Sequence, residues 1–321
     1  MARRRLLVLL KPFDVFPASI TKNTNNNALS VAIKNSPSCK VLSYLDDRRM
    51  VHKEAINICQ NILRKKFVDW KPVFRSDLSQ PIRDVDLVIT IGGDGTLLQA
   101  SHFIDDSVPV LGVNSDPTQV KEVEECSNEF DATRSTGYLC AATVKNFEQI
   151  LDDILEDRSS PSELSRMSIR INSNLLPTCA LNDILIAHPC PAAVSRFSFR
   201  IRKDGLSCSS LVNCRSSGLR ISTATGSTAA IHSAGGFSMP ILSKDLQYIV
   251  REPILPKAAD SSLMHRTVKF DESFHTTWFC KEGLIYIDGA HTVYSIEHQD
   301  TVELSSQAPI LKVFLPHHLL Q

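Results

Sequence analysis

The sequence lacks both a charge imbalance and a long apolar run. Lysine plus arginine and aspartate plus glutamate each number 35, so the formal net charge is zero. Proteins that bind nucleic acids or membrane surfaces usually carry a clustered excess of one sign, so we expect neither partner. The apolar run at 6–10 is too short for a signal peptide, and no stretch approaches the ~20 apolar residues of a membrane span. We therefore expect a cytoplasmic protein.

The sequence also lacks a disulfide framework. Its nine cysteines are odd in number and scattered, without a Cys-x-x-Cys pair. This favours reduced thiols over structural disulfides or a zinc site, and we predict no metal bound by protein ligands alone. With 321 residues, 43% of them hydrophobic and 22% charged, the chain has the composition of a soluble globular protein of roughly two domains.

The first half alternates apolar runs with helical patterns. Apolar runs predict strands, and 3.6-residue spacing predicts a helix over 47–67 and another after Thr96. The strands are predicted at 5–10, 70–74, 85–91 and 108–113, with an additional strand at 41–45 and a loop at 13–39. This alternation indicates an α/β domain with a doubly wound, mostly parallel sheet.

The pattern changes in the second half, where apolar and polar residues alternate. Such alternation is typical of strands with one solvated face. These segments lie at 167–171, 197–202, 285–289 and 301–304. We expect an α/β domain over residues 1–150 and a mostly-β domain over 151–321. The strand predicted at 311–314 is a candidate to return to the first domain.

The densest signal is Gly-Gly-Asp-Gly-Thr at 92–96, between a buried strand and a helix. Glycine lets the backbone approach phosphate oxygens, and the N–H groups at a helix start favour an anion. Asp94 is unusual there, because a carboxylate beside phosphates is repulsive unless it holds a metal or accepts a proton from an attacking hydroxyl. The turn suggests phosphoryl transfer, although a tight turn capped by a short acid explains the same residues.

A second glycine-rich stretch runs from Gly218 to Ala230, followed by Ala-Gly-Gly at 234–236. Its serine and threonine hydroxyls can cap a helix or hydrogen-bond ribose and phosphate groups, and both interpretations stand equally. The pair Asn182-Asp183, taken alone, is better interpreted as an Asx-turn at a strand start.

Together, these segments resemble the signatures of the NAD kinase family. The chain has Gly-Gly-Asp-Gly-Thr at 92–96, Asn-Asp at 182–183 and Ser-Thr-Ala-Thr-Gly-Ser-Thr-Ala-Ala at 222–230, in the family's order and spacing. It departs from the family at Ala224, usually proline, at Ala230, usually tyrosine, and at Ser217, where many members have aspartate. These departures resemble the plant branch of the family, which is said to prefer the reduced nucleotide.

The resemblance implies a two-domain transferase that phosphorylates the adenosine-ribose 2′-hydroxyl of NADH, and more weakly of NAD⁺. ATP would be the donor, with Mg²⁺ bound through its phosphates, and the protein would be a homodimer. Asp94 would be the catalytic residue that activates the hydroxyl. The nucleotides would contact Gly92, Gly93, Gly95, Thr96, Asn182, Asp183, Ser217, Thr225, Thr228, Ala229 and Ala230.

Ser217 would face the nicotinamide half of the dinucleotide. An aspartate there could pair with the positive ring of NAD⁺, whereas serine cannot, which would favour the neutral reduced ring. Two alternatives remain. A lipid kinase of the diacylglycerol or sphingosine type shares residues 92–96 but is not expected to carry residues 222–236 in this form. A non-catalytic dinucleotide sensor would gain nothing from Asp94.

Overall fold

The computed structural model describes residues 3–13, 37–255 and 261–320. The described residues divide into two compact units. Unit 1 takes its residues from Met1–Ala100, Val108–Pro161 and Val313–Gln321, and unit 2 from Ser101–Ser107 and Ser162–Lys312. Within the described ranges, each helix is too short or too polar to cross a membrane.

Unit 1 is an α/β structure. Its helices are α1 (Pro37–Lys65), α2 (Asp94–Ser101), α3 (Val120–Cys126) and α4 (Phe147–Leu155). Its strands are β1 (Arg4–Leu10), β2 (Val68–Phe74), β3 (Leu87–Gly92), β4 (Val110–Asn114) and β5 (Ala142–Thr143).

The sheet of unit 1 contains the run β2-β1-β3-β4, in which every pairing is parallel, and β5 also pairs with β4 in parallel. Strands β3 and β4 are buried along their whole length, as expected for apolar strands covered on both faces. Helices α1 and α4 contribute Cys59, Leu63 and Leu151 to the same hydrophobic core. The predicted doubly wound, mostly parallel sheet is therefore confirmed.

The strand predicted at 41–45 is wrong, because these residues belong to α1. The predicted helix over 47–67 is confirmed but starts earlier, at Pro37. A short apolar run does not distinguish a strand from a helix segment, and Val41 and Leu45 are also one helical turn apart. The predicted loop at 13–39 lies largely outside the described residues, and it is wrong for its last three residues, 37–39, which belong to α1.

Unit 2 is mostly β, as predicted. It contains the short helix α5 (Ala230–Ser233) and the strands β6 (Ser162–Leu164), β7 (Ser168–Ile171), β8 (Asn174–Leu175), β9 (Asp183–Ala187), β10 (Ser195–Lys203), β11 (Leu206–Ser207), β12 (Val212–Ser216), β13 (Gly218–Ser222), β14 (Leu246–Arg251), β15 (His265–Val268), β16 (Glu272–Trp278), β17 (Glu282–Ile287), β18 (Thr292–Glu297) and β19 (Thr301–Ser305).

Two antiparallel sheets form unit 2. One has the order β11-β10-β16-β19-β7-β8, with β12 also paired to β10, and the other has the order β15-β14-β13-β9-β17-β18. Alternate residues of β17 and β19 are buried, which is the predicted period of two. Side chains from both sheets, such as Phe274 and Tyr248, pack into one hydrophobic core.

The last strand, β20 (Leu311–Phe314), crosses the division between the units. Its residues Val313 and Phe314 pair in parallel with Val110 and Leu111 of β4. The chain thus returns to the sheet of unit 1 after completing unit 2.

Candidate functional site

The Gly-Gly-Asp-Gly-Thr turn lies at the carboxyl end of β3, and α2 begins at Asp94. Ligands of parallel sheets bind beyond this edge. A Cβ at Gly92 would lie 2.2 Å from Thr96 Oγ1, and one at Gly93 would lie 2.5 Å from Ser135 Oγ. The turn therefore closes too tightly for side chains at these two positions. Thr96 Oγ1 is buried and has no hydrogen-bond partner in the part of the chain that the structure describes.

The Asp94 carboxylate is held by a segment that the sequence patterns did not single out. Its Oδ2 and Oδ1 accept hydrogen bonds from the N–H groups of Tyr138 and Leu139, each at 2.9 Å. The Ser135 hydroxyl and the Cys140 thiol are farther away, at 3.3 and 3.9 Å. The aspartate remains partly exposed. Because the Ser135 contact is long, exposed and made by a rotatable hydroxyl, an incoming hydroxyl can replace it.

A cavity of about 340 Å³ opens beside Gly92 and Gly93, within unit 1. Lys11, Arg48 and Arg134 contribute cations to its lining. Both arginines contact Asp116, at 3.3 and 3.2 Å. Burial lowers the pKa of Lys11 and raises that of Asp116, although the two arginines oppose the second shift. The cavity thus combines three cationic side chains and a glycine backbone with the carboxylates of Asp116 and Asp131, so part of its positive charge is already offset.

In unit 2, Asn182 and Asp183 lie at the start of β9, and their side chains differ in whether a neighbour already occupies the acceptor oxygens. Asp183 Oδ2 accepts a hydrogen bond from Arg220 Nη1 at 2.6 Å, and both side chains are nearly buried. Burial raises the pKa of Asp183, while Arg220 lowers it. In contrast, Asn182 Oδ1 is buried without a partner among the described residues. Asn182 therefore keeps an acceptor free, and a neighbour already engages Asp183.

The structure brings Asn182 together with the second glycine-rich stretch. The Thr223 N–H donates to the Asn182 carbonyl at 2.9 Å, and a Cβ at Gly226 would lie 2.3 Å from that oxygen. A 3-10 turn follows at Thr225–Thr228. Thr225 is buried, and within the described ranges its Oγ1 has no partner. Thr228 and Ala230 are exposed, and Ala229 is half-buried.

Ser217 and Ala230 also belong to unit 2. Ser217 precedes β13, and its hydroxyl donates to the Arg251 carbonyl at 3.3 Å. Ala230 lines a cavity of about 660 Å³ together with Arg220, Arg251 and His265. Burial lowers the pKa of His265. Sequence reasoning missed Arg220, Arg251 and His265, because each is a single residue in or at the end of a strand and no motif marks its chemistry.

The one metal ion expected from the sequence is Mg²⁺ bound through the phosphates of ATP. Among the residues that the structure describes, no group of three or more His, Cys, Asp or Glu side chains is arranged to hold a metal ion. Mg²⁺ commonly binds through substrate phosphates and one or two carboxylates, so it does not require such a group. The donor set of this chain is therefore compatible with Mg²⁺ delivered on ATP.

Comparisons with known proteins identify clear relatives. A family model described as the ATP-NAD kinase N-terminal domain matches residues 15–116. The chain is 57% identical to a probable NADH kinase of Oryza sativa subsp. japonica, over 100% of this chain and 99% of the relative. It is 61% identical to an NADH kinase of Arabidopsis thaliana, over 100% of this chain and 98% of the relative.

Two solved structures share the fold. An NAD kinase from Archaeoglobus fulgidus in complex with ATP superposes with a TM-score of 0.63 at 17% identity, covering 98% of this chain and 95% of that chain. A yeast NADH kinase complexed with NADH has a TM-score of 0.65 at 13% identity, covering 97% and 84%.

Proposed function

The chain belongs to the NAD kinase family, and on this premise we propose that it transfers the γ-phosphoryl group of ATP to NADH, and more weakly to NAD⁺. The acceptor is the 2′-hydroxyl of the adenosine ribose, and the product is NADPH or NADP⁺. The names of the two plant relatives support the reduced dinucleotide as the main substrate. The observation that carries the proposal is the Asp94 carboxylate, which is partly exposed and open to a further proton donor at the end of a parallel sheet.

Asp94 acts as the general base. The ribose 2′-oxygen forms a bond to the γ-phosphorus while the bond from that phosphorus to the bridging oxygen of ADP breaks. The proton of the hydroxyl passes to the Asp94 carboxylate. A positioned general base of this kind typically accelerates the reaction by ~10²–10⁴-fold. The N–H groups of Tyr138 and Leu139 keep the carboxylate in one orientation.

The cavity beside Gly92 and Gly93 is proposed as the ATP phosphate site. Lys11, Arg48 and Arg134 contribute positive charge there, part of which Asp116 and Glu122 already neutralise, and the glycines let the backbone approach closely. Gly95 and Thr96 complete the turn. Mg²⁺ bound to the phosphates supplies further neutralisation, which is most of what phosphoryl transfer requires beyond positioning.

The dinucleotide is proposed to bind in unit 2 through groups that lack protein partners. Asn182 Oδ1 and Thr225 Oγ1 are buried and unpaired within the described part of the chain. A buried polar atom without a partner costs ~1–3 kcal/mol, which a ligand hydrogen bond would recover. In this proposal the dinucleotide pocket is also lined by Thr228, Ala229 and Ala230. Asp183 contributes to it as the ion pair that it forms with Arg220. Ser217 and Ala230 bias the pocket toward the reduced ring.

We also propose the domain roles, assembly and location expected from the sequence. Residues 1–150 carry the phosphoryl-transfer turn, and residues 151–321 carry the dinucleotide site. The protein is a cytoplasmic homodimer. Light scattering on the purified chain measures the assembly, and imaging of a tagged chain measures the location.

One assay separates the candidate functions. The purified chain is incubated with ATP and Mg²⁺ and, separately, with NADH, NAD⁺, diacylglycerol or sphingosine, and phosphorylated products are quantified. We expect NADPH at a higher kcat/KM than NADP⁺, and no phosphorylated lipid. Phosphorylated lipid without NADPH would favour the lipid kinase, and dinucleotide binding without any product would favour the sensor.

A further inference from the structure

We propose that Asp288 is a positioning residue that fixes the backbone of Asn182 and Asp183 for dinucleotide recognition, with His102 as its auxiliary donor. The inference rests on the proposed function, because it concerns the dinucleotide half of that site. It adds two residues that no motif in the sequence identifies. All the groups that carry it belong to unit 2.

Four donors converge on the Asp288 carboxylate. Its Oδ1 accepts hydrogen bonds from the N–H groups of Asn182 and Asp183, at 2.7 and 3.0 Å. Its Oδ2 accepts from the N–H of Leu181 at 2.8 Å and from His102 Nε2 at 2.9 Å. The side chain is 0% exposed. A carboxylate offers about four acceptor positions, so this one is filled from within and has none left for a substrate.

The chain around Asp288 places the carboxylate over the start of β9. Strand β17 pairs with β9 as far as Ile287 opposite Ile184. Asp288 then adopts a left-handed backbone conformation, with a φ of 50°, and its N–H donates to the Asp183 carbonyl at 2.9 Å. Aspartate tolerates this conformation better than most residues. The turn therefore directs the side chain back toward three consecutive N–H groups, an arrangement that typically binds an anion.

The other side of Asn182 is fixed as well. Its carbonyl accepts hydrogen bonds from the Thr223 N–H at 2.9 Å and from Ser222 Oγ at 3.1 Å. The peptide groups on both sides of Asn182 are thus committed to the protein. In contrast to these backbone groups, the Asn182 side-chain Oδ1 is buried without a partner among the described residues. The geometry points to a backbone fixed so that one amide group is presented to a ligand.

His102 completes the set and orients the carboxylate. Its Nε2 donates to Asp288, and its Nδ1 lies 3.4 Å from the Thr292 hydroxyl, which can donate to it. A proton on Nε2 is what allows the imidazole to make the first of these contacts. The side chain of His102 is 9% exposed. Its role is therefore to donate a hydrogen bond to a buried carboxylate.

The decisive variant is Asp288→Asn, which keeps the size of the side chain but turns an amide N–H₂ toward backbone N–H donors. The measurements are the Kd for NADH without ATP, the KM for NADH and for ATP, and the thermal midpoint. We expect the Kd and KM for NADH to rise about tenfold or more, which corresponds to ~1.4 kcal/mol or more. The KM for ATP should change less than about twofold.

A matched control is Asp300→Asn, at a turn of the same unit. Asp300 also accepts a backbone N–H, that of Glu297 at 2.7 Å, and is hydrogen-bonded to Asn172. It should leave the affinity for NADH unchanged. His102→Gln, which keeps an N–H donor, should bind NADH nearly as the parent chain does, and His102→Leu should bind it several-fold more weakly.

A folded Asp288→Asn chain with the parent affinity for NADH would overturn the proposal, as would equal rises in both KM values. If Asp288→Asn does not fold, the pair His102→Leu and His102→Gln decides, and equal NADH affinities in the two would also overturn it. The proposed function is tested separately by turnover of the parent chain, because NADH binding is measured without ATP. A parent chain that binds NADH without phosphorylating it refutes the function while leaving this test intact.

Discussion

Asp94 in unit 1 and Asp288 in unit 2 are both held by backbone N–H groups from a distant segment, but they differ in what remains free. Asp94 receives two N–H donors at 2.9 Å, and its other contacts are long and come from rotatable groups. Asp288 receives four donors at 2.7–3.0 Å, three of them from the backbone. Asp94 is partly exposed, whereas the Asp288 side chain is 0% exposed.

The comparison shows how the surroundings of an aspartate separate chemistry from positioning. A general base needs an open acceptor position within reach of the proton that it takes. A buried carboxylate needs the opposite, because each unfilled acceptor position adds to the cost of removing the charge from water. Backbone N–H groups orient both carboxylates, but only Asp94 keeps capacity for a substrate.

The largest expected effect is that of Asp94→Asn on turnover. Loss of the base should lower kcat by ~10²–10⁴, while the Kd for NADH stays within a few-fold of the parent value. Steady-state NADPH formation and NADH fluorescence titration measure the two quantities. Ser135→Ala is the matched control, since it removes one long contact to the carboxylate and keeps the base, and it should cost less than about tenfold in kcat. Parent-like turnover of Asp94→Asn would remove Asp94 from its role.

The next largest effect concerns two glycines, Gly95 in unit 1 and Gly226 in unit 2. In Gly226→Ala, the new Cβ would lie 2.3 Å from the Asn182 carbonyl oxygen, so the backbone must shift. Overpacking of this kind costs typically ~1–3 kcal/mol in the free energy of unfolding. In Gly95→Ala, the nearest atom is Arg75 Nη1 at 3.7 Å, an ordinary contact. Its free energy of unfolding in urea should equal or exceed that of the parent.

The variants Gly95→Ala and Gly226→Ala also test whether each glycine makes room for a ligand or for the protein's own backbone. If Gly95 makes room for ATP phosphates, Gly95→Ala should lower kcat/KM for ATP several-fold without any loss of stability. Gly226→Ala should lower stability and the affinity for NADH together, because the chain itself fills the space. A stable Gly226→Ala chain with parent-like NADH binding would contradict the close approach to Asn182.

The sequence predicted the parts of the fold and of the candidate site that are local along the chain. The turn at 92–96 is visible because its glycines, its acid and its flanking strand are consecutive. The partners of the two carboxylates are not visible, since Tyr138 lies 44 residues from Asp94, and Asn182 lies 106 residues from Asp288. These contacts join segments that are far apart along the chain, and a single sequence does not reveal which segments meet. The wrong strand prediction at 41–45 has a local cause. A five-residue apolar run is too short to show whether its residues repeat with the period of a strand or of a helix.

The smallest expected effect comes from Ser217→Asp, which would add to unit 2 a carboxylate with open acceptor positions. The Ser217 side chain is partly buried and makes one hydrogen bond, to the Arg251 carbonyl at 3.3 Å, so the new acid would not be saturated as Asp288 is. If this position faces the nicotinamide ring, the charge should favour NAD⁺ over NADH. An ion pair that keeps contact with solvent contributes ~0.2–1 kcal/mol, so the NAD⁺/NADH ratio of kcat/KM should rise by about 1.4- to fivefold. Ser217→Asn, of similar size but neutral, should leave that ratio unchanged. A ratio that does not move in Ser217→Asp, or that moves equally in both variants, would show that the charge at this position does not set the substrate preference.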